Sequence, residues 1–252
     1  MIPKIIHYFW ESDKPMPEKL KRCVESWHRQ CPDFEIRCWN VASLGDSVPV
    51  WVTEAIENRK FAFAADFVRY YALFNFGGIY MDTDVELIKP FDKLIEAPYL
   101  MCFETEFGYV ESGFLGVEKG HRFTKLMLDY YKNRHFVKSD GSLDMLALPD
   151  IFRDVTARNG IEFVGVEGPE DIKVSESQLF VLPSDYFSPI SLQTNAMRIT
   201  DRTVAIHHFE SSWKSPWFRF KKKIQRAIGP RLTLAIIRVK DVLLRRKSQS
   251  GQ

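Results

Sequence analysis

Residues 61–90 read FAFAADFVRYYALFNFGGIYMDTDVELIKP. Phe63, Phe67, Tyr70, Tyr71 and Phe74 recur at spacings of three and four, which predicts an amphipathic helix with an aromatic stripe turned to a core. The helix is expected to stop near Gly77, because Gly77 and Gly78 break helical propagation and admit a close backbone approach. Ile79, Tyr80 and Met81 make an apolar run too short for a helix, so a buried strand end is expected. Asp82 and Asp84 follow at once. In extended backbone, side chains two residues apart share a side, so the two carboxylates are expected to converge while Thr83 faces away.

Two converging carboxylates form a hard-oxygen site that suits Mg2+ or Mn2+ beside diphosphate oxygens. A bare Asp-x-Asp is also a common solvated turn, and its surroundings must decide. An EF-hand loop starting at Asp82 fails, since its sixth and twelfth positions hold Leu87 and Lys93 instead of Gly and Glu. A Mg-dependent phosphohydrolase of the haloacid-dehalogenase kind is a weaker alternative, because Val85-Glu86-Leu87 offers no hydroxyl for its nucleophile loop. Asp66 and Arg69 lie three apart on the preceding helix. They read either as a surface ion pair worth about 0.2–0.5 kcal/mol or as a charged pair facing a polar cleft.

Length and composition bound the rest. The chain has 252 residues, 45% hydrophobic and 27% charged, enough for one sizeable domain and inconsistent with a disordered chain. The 20 Phe and 6 Trp suit core packing first and sugar or base stacking second. A net charge of +2 hides a split: residues 214–252 hold 12 Lys or Arg and one acid, Asp241, leaving 23 basic and 32 acidic residues before them. Cys23, Cys31, Cys38 and Cys102 show no metal-ligand spacing and are expected as free buried thiols in a reducing compartment. No apolar run of about 18 residues occurs, so neither a signal peptide nor a membrane anchor is expected.

The combined pattern A-x-D-x-x-R-Y-x-x-L-x-x-x-G-G-I-Y-x-D-x-D over residues 64–84 resembles glycosyltransferase family 32, the DXD sugar transferases, and more distantly the catalytic domains of large glucosylating toxins. The opening Ile2-Pro3-Lys4-Ile5-Ile6-His7-Tyr8-Phe9-Trp10, an apolar first strand by composition, is similar to the opening of that family. The resemblance implies a GT-A-type α/β domain, a Rossmann-like mixed sheet flanked by helices. It further implies a metal-dependent, retaining hexosyltransferase acting on a UDP- or GDP-linked sugar. Asp66, Arg69, Asp82 and Asp84 are then the catalytic set: Asp84 and Asp82 bind the metal, Asp82 also reaching the ribose or sugar, Asp66 and Arg69 hold the donor sugar, and Trp10 borders the base. Gly78 is counted with the donor-binding set. His7 reads as a buried structural histidine.

Residues 204–213, VAIHHFESSW, form the second constellation. A His-His pair at a strand end is by itself more often structural than metal-binding. The resemblance implies His207 as third metal ligand, with Ser212 and Trp213 at the diphosphate; His208 is expected on the opposite face. Residues 111–116 and 183–189 are similar to acceptor-side and proline-bounded loops of the family. Glu104, Glu106 and Glu111 read as sugar-binding or merely solvated acids, and the helix expected over 143–159 as interrupted near Pro149.

Residues 1–213 are therefore expected to be the catalytic domain. Residues 214–252 are expected to be a basic amphipathic tail, split at Gly229-Pro230, lying on an anionic membrane. No nucleic-acid reader is recognisable. The expected setting is a bacterial cytoplasm, at the inner face of the cytoplasmic membrane, with a lipid-linked glycan acceptor in capsule or lipopolysaccharide synthesis. A sugar-nucleotide-binding protein without turnover is the non-enzyme alternative.

Overall fold

The computed structural model describes residues 1–12, 14–105, 108–210 and 216–249. Strand β1 (Ile5–Phe9) leads through α1 (Glu18–Gln30) to β2 (Glu35–Trp39), and then through α2 (Val50–Glu57) and α3 (Phe61–Phe76) to β3 (Gly78–Met81) and β4 (Val85–Leu87). β5 (Tyr99–Leu100), β6 (Phe114–Val117), α4 (Arg122–Tyr131), α5 (Leu148–Arg158), β7 (Glu162–Gly165), β8 (Gln178–Val181), β9 (Ala205–His207) and α6 (Pro216–Gln249) complete the order.

The central sheet has the order β2-β1-β3-β6-β5. β1 runs parallel to β2 and β3, whereas β6 is antiparallel to both β3 and β5. This is the mixed, helix-flanked sheet expected of a GT-A-type domain. After β1 the chain goes first to β2 on one side and later returns to β3 on the other. β1 and β3 therefore flank a topological switch point, and ligands of open α/β sheets bind beyond the carboxyl ends of such strands. Trp10 and Asp82 each lie one residue past those ends. Two small sheets, antiparallel β4-β9 and parallel β7-β8, lie outside the main one.

α3 has the expected bounds but a different character. Phe63 through Tyr70 are all buried, so the middle of the helix is enclosed on every side while Phe61 and Phe76 at its ends are exposed, and the expected amphipathic stripe is a correction. Its enclosure follows from sequence: apart from Asp66 and Arg69, no charged residue lies between Phe61 and Phe76, and an all-apolar helix is a core helix. At its end Gly77 adopts φ 68° and donates its N–H to Leu73 O. Gly78, at φ 94°, sits where a β-carbon would lie 2.5 Å from Ile5 O. Only glycine lets β3 approach β1 so closely.

Aromatic rings fill the core as composition suggests. Trp51 meets Tyr131 and Phe136 at 5.2 and 5.1 Å between centroids, and Phe114 stacks on Phe187 at 3.9 Å. Pro149 opens α5 rather than interrupting it, since proline at the first turn lacks only an N–H that would be unpaired anyway. Cys23, Cys31 and Cys102 are free and buried, but Cys38 is exposed, against the expectation of four buried thiols. Outward-facing positions on the edge strand β2 explain it. α6 is two helices joined at Gly229, φ 79°, as Gly229-Pro230 suggests. No helix among the described residues is long and apolar enough to cross a membrane.

His7 is fully buried on β1. Its Nε2 lies 2.8 Å from Gly77 O, and its Nδ1 accepts from Trp39 Nε1 at 3.0 Å. Because Nδ1 accepts, Nε2 carries the proton and the ring is neutral. Burial lowers its pKa to about 4. The unfolded chain, with a histidine near 6.5, therefore binds an extra proton between those values, so stability falls as pH drops from about 6.5 to about 4. This single group should remove roughly 3 kcal/mol over that window. Denaturant unfolding at pH 7 and pH 4.5 should show a smaller loss in a His7→Gln variant than in the parent; equal losses would remove His7 as the source.

Candidate metal and sugar-nucleotide site

At the carboxyl end of β3 the chain turns sharply. Val85 N donates to Asp82 O at 2.9 Å, closing a four-residue turn over Asp82-Thr83-Asp84-Val85. The two aspartates thus converge through a turn, not through strand alternation as expected from sequence. β4 then leaves the turn under firm control from α1: Trp27 Nε1 donates to Val85 O at 2.8 Å, and Leu87 N donates to Ser26 Oγ at 2.8 Å. β4 pairs with β9 so that Val85 faces His207 in register. This ladder delivers His207 to the aspartates.

One ligand atom each from Asp82, Asp84 and His207 falls within 4.8 Å of the others. His207 Nε2 lies 3.3 Å from Asp84 Oδ1, and His207 Nδ1 lies 3.0 Å from Glu111 Oε1. Asp84 Oδ2 also accepts Glu210 N at 2.8 Å. Burial works against the Asp84 carboxylate, but the His207 charge and these hydrogen bonds prevail and hold its pKa at about 2. Burial opposes charge on His207 as well, yet the Glu111 and Asp84 carboxylates raise its pKa well above the usual histidine value. Two carboxylates and an imidazole around one point, with the Asp82 side chain 30% exposed, suit a divalent cation that keeps open positions for water or phosphate oxygens.

Asp66 and Arg69 are not a surface pair. Arg69 is 3% exposed and donates through an Nη to Asp82 Oδ1 at 2.8 Å, while its Nη lies 3.8 Å from Asp66 Oδ1. Its guanidinium covers the Tyr80 ring at 4.6 Å. Arg69 Nε is buried with no hydrogen-bond partner among the described residues. Burial pushes the Asp66 carboxyl up to about 7, against the pull of Arg69. The charged face of α3 therefore braces the DXD turn from within the core.

The structure thus gathers Asp66, Arg69, Asp82, Asp84 and His207 in one place. Trp10 is half-buried at the end of β1, its N–H donating to Trp39 O at 2.9 Å. Gly78 is not brought to the cluster: it lies at the opposite end of β3, packed against Ile5. Ser212 and Trp213 lie outside the described residues, as does Glu106. His208 faces away from the cluster and meets Glu86 Oε2 at 2.9 Å, as strand alternation requires.

Two contributors escaped sequence reasoning. Glu111, read there as a sugar-binding or solvated acid, is 1% exposed and bound to His207. Gly113 lies just before β6 and accepts Asp82 N–H through its carbonyl at 2.8 Å. The available signal was Glu-Ser-Gly ahead of the apolar run Phe114–Val117, a strand not recognised from sequence.

Residues 17–100 match the family described as "glycosyltransferase sugar-binding region containing DXD motif". The match falls on the segment that carries Asp82-Thr83-Asp84 and bears out the resemblance to glycosyltransferase family 32 there. Two curated relatives come from Schizosaccharomyces pombe. Inositol phosphoceramide mannosyltransferase 3 is 31% identical over 48% of this chain and 35% of its own length. Inositol phosphoceramide mannosyltransferase 1 is 29% identical over 54% of this chain and 46% of its own length. The chain thus spans less than half the length of either relative. Among solved structures, the PaToxG glycosyltransferase aligns over 62% of this chain and 68% of its own at 18% identity, with a TM-score of 0.45.

The relatives overturn one expectation. They are yeast proteins, which contradicts a placement in bacterial cytoplasm at the inner face of a bacterial membrane. That placement rested on thiol usage and on the want of a long apolar run, and neither property separates bacteria from eukaryotes.

Gly113 offers a direct check of the geometry. A β-carbon there would lie 2.6 Å from His207 Cε1, 2.8 Å from its Nδ1 and 3.1 Å from Asp82 Oδ2. Gly113→Ala should therefore displace the imidazole and destabilise the fold by ~1–3 kcal/mol, the usual cost of overpacking. Thermal unfolding measures it; a melting temperature equal to the parent's would mean that the imidazole yields freely.

Proposed function

We propose that the chain is a metal-dependent glycosyltransferase that moves a hexose from a nucleoside diphosphate sugar to a hydroxyl of a lipid-borne acceptor, with retention of anomeric configuration. The observation that carries this reading is the convergence of Asp82, Asp84 and His207 within 4.8 Å beside the buried Arg69, on a DXD sugar-binding segment. Asp82, Asp84 and His207 would hold Mn2+ or Mg2+. When bound, that ion supplies Lewis-acid neutralisation of the charge on the departing diphosphate. Arg69 fixes the Asp82 carboxylate, and Asp66, partly protonated near neutral pH, can donate or accept a hydrogen bond from a sugar hydroxyl. Arg69 and Asp66 together are assigned to the donor sugar. Trp10 is assigned to the base, UDP- or GDP-linked, and Ser212 and Trp213 to the diphosphate. Residues 1–213 form the catalytic unit in this reading.

The names of the relatives favour an inositol-phosphoceramide type of acceptor and mannose as the hexose; they lend no support to capsule or lipopolysaccharide. The decisive experiment measures hydrolysis of UDP- and GDP-linked hexoses by the protein with Mn2+ or Mg2+. One donor should turn over, and Asp84→Asn should slow it by at least about 100-fold, since even outer-shell changes at metal sites cost ten- to hundredfold. Metal-dependent donor binding with no turnover, on any acceptor lipid, would leave a sugar-nucleotide-binding protein instead.

α6 is assigned to an anionic bilayer. Trp217, Phe220, Ile224, Leu232 and Ile236 are exposed apolar side chains on it, interspersed with Lys221, Lys223 and Arg231. Lys222, by contrast, turns inward and donates to Leu192 O at 2.7 Å, tying the helix to the domain. Each basic residue near an anionic surface contributes about 1 kcal/mol. The full chain should sediment with vesicles containing phosphatidylserine and not with pure phosphatidylcholine. Replacing Lys221 and Lys223 together by Ala should weaken binding roughly tenfold or more; unchanged binding would remove the tail from the assignment.

A further inference from the structure

Glu111 has no face left for a substrate. Its Oε1 accepts Gly113 N–H at 2.6 Å and faces His207 Nδ1 at 3.0 Å, its Oε2 accepts Ser188 Oγ–H at 2.7 Å, and its own N–H donates to Cys102 O at 2.8 Å. Such a carboxylate is immobilised from three sides. We propose that Glu111 is a positioning residue, holding the His207 ring so that Nε2 faces the aspartates, and that it thereby sets the divalent-cation affinity of the site. The proposal rests on the reading of Asp82, Asp84 and His207 as a metal group.

The geometry makes the argument. An imidazole has two nitrogens, and which one is free to ligate is decided by the hydrogen bond made by the other. Here Nδ1 is taken by Glu111, while Nε2 lies 3.3 Å from Asp84 Oδ1. The ring is also closed in by Gly113, where no β-carbon fits, and by Phe209 at 4.0 Å between centroids. Ring and carboxylate share one short segment: Glu111 receives the N–H of Gly113, and Gly113 leaves the space for His207. Carboxylates in this outer position orient metal-bound histidines and strengthen them as ligands, and losing one costs ten- to hundredfold in metal affinity.

The test is Mn2+ binding to the full chain, followed by the loss of the free-ion electron paramagnetic resonance signal. It is paired with imidazole 15N spectra of the Mg2+-loaded protein. In the parent, His207 should show a protonated Nδ1 and a metal-bound Nε2. Glu111→Gln should weaken Mn2+ binding ten- to hundredfold and mix the two ring tautomers. Ser188→Ala, which frees only the far oxygen of Glu111, should weaken binding by a smaller factor and serves if Glu111→Gln fails to fold. If the parent binds no Mn2+, the metal reading itself falls, and this inference with it. If the parent binds and the folded variant matches it in affinity and in His207 nitrogen shifts, only the role of Glu111 is overturned.

Discussion

The structure depends on the pairing of four crowded carboxylates with Arg69 and His207 among the described residues. Asp66, Asp82, Asp84 and Glu111 crowd into one corner of the fold, and among the described residues the cations paired with them are Arg69 and His207. Buried carboxylates are tolerated only when paired or neutralised, and this corner uses both means. Arg69 serves Asp82 and reaches Asp66, His207 bridges Asp84 and Glu111, and Asp66 rises toward neutrality. What remains is a concentration of oxygen ligands opening at Asp82 toward solvent. The surrounding elements are arranged around that imbalance: α3 brings Arg69, α1 grips β4 through Trp27 and Ser26, and β9 brings His207.

The backbone explains why these groups meet. β1 and β3 are parallel neighbours, so their carboxyl ends lie on one edge, and the chain turns there in a tight hydrogen-bonded corner. β6 then runs back antiparallel along β3, which places Gly113 beside Asp82. Glycine at 113 is required by space, whereas glycine at 78 is required by the approach of two strands far from the chemistry. The same residue type, four positions before the first aspartate, thus has a scaffold role that a motif reading alone assigns to the ligand.

Much of this was legible in sequence. The 61–90 pattern gave the helix, the glycine break and the strand end, because local periodicity and glycine chemistry are decided within a few residues. The α/β class came with the family resemblance, and the opposite facing of His207 and His208 was readable from strand alternation. What could not be read depends on distant partners. The grip of Glu111 on His207 joins segments 96 residues apart, and the inward turn of Arg69 depends on Asp82 beyond the helix end. β4 and β6, of three and four residues, are too short to announce themselves by periodicity. β4 is nonetheless the strand on which β9, with His207, is registered, and β6 follows directly on Gly113.

The DXD-matched segment, residues 17–100, holds both aspartates and Arg69, but neither Glu111, Gly113 nor His207. The acidic corner is therefore not a portable module. It exists only once β6 has zipped onto β3 and β9 onto β4, pairings that close loops of widely different length and are entropically costly to form early. Competence for chemistry is in this sense a readout of completed topology: a nascent chain that has emerged as far as residue 100 carries the motif and lacks the site.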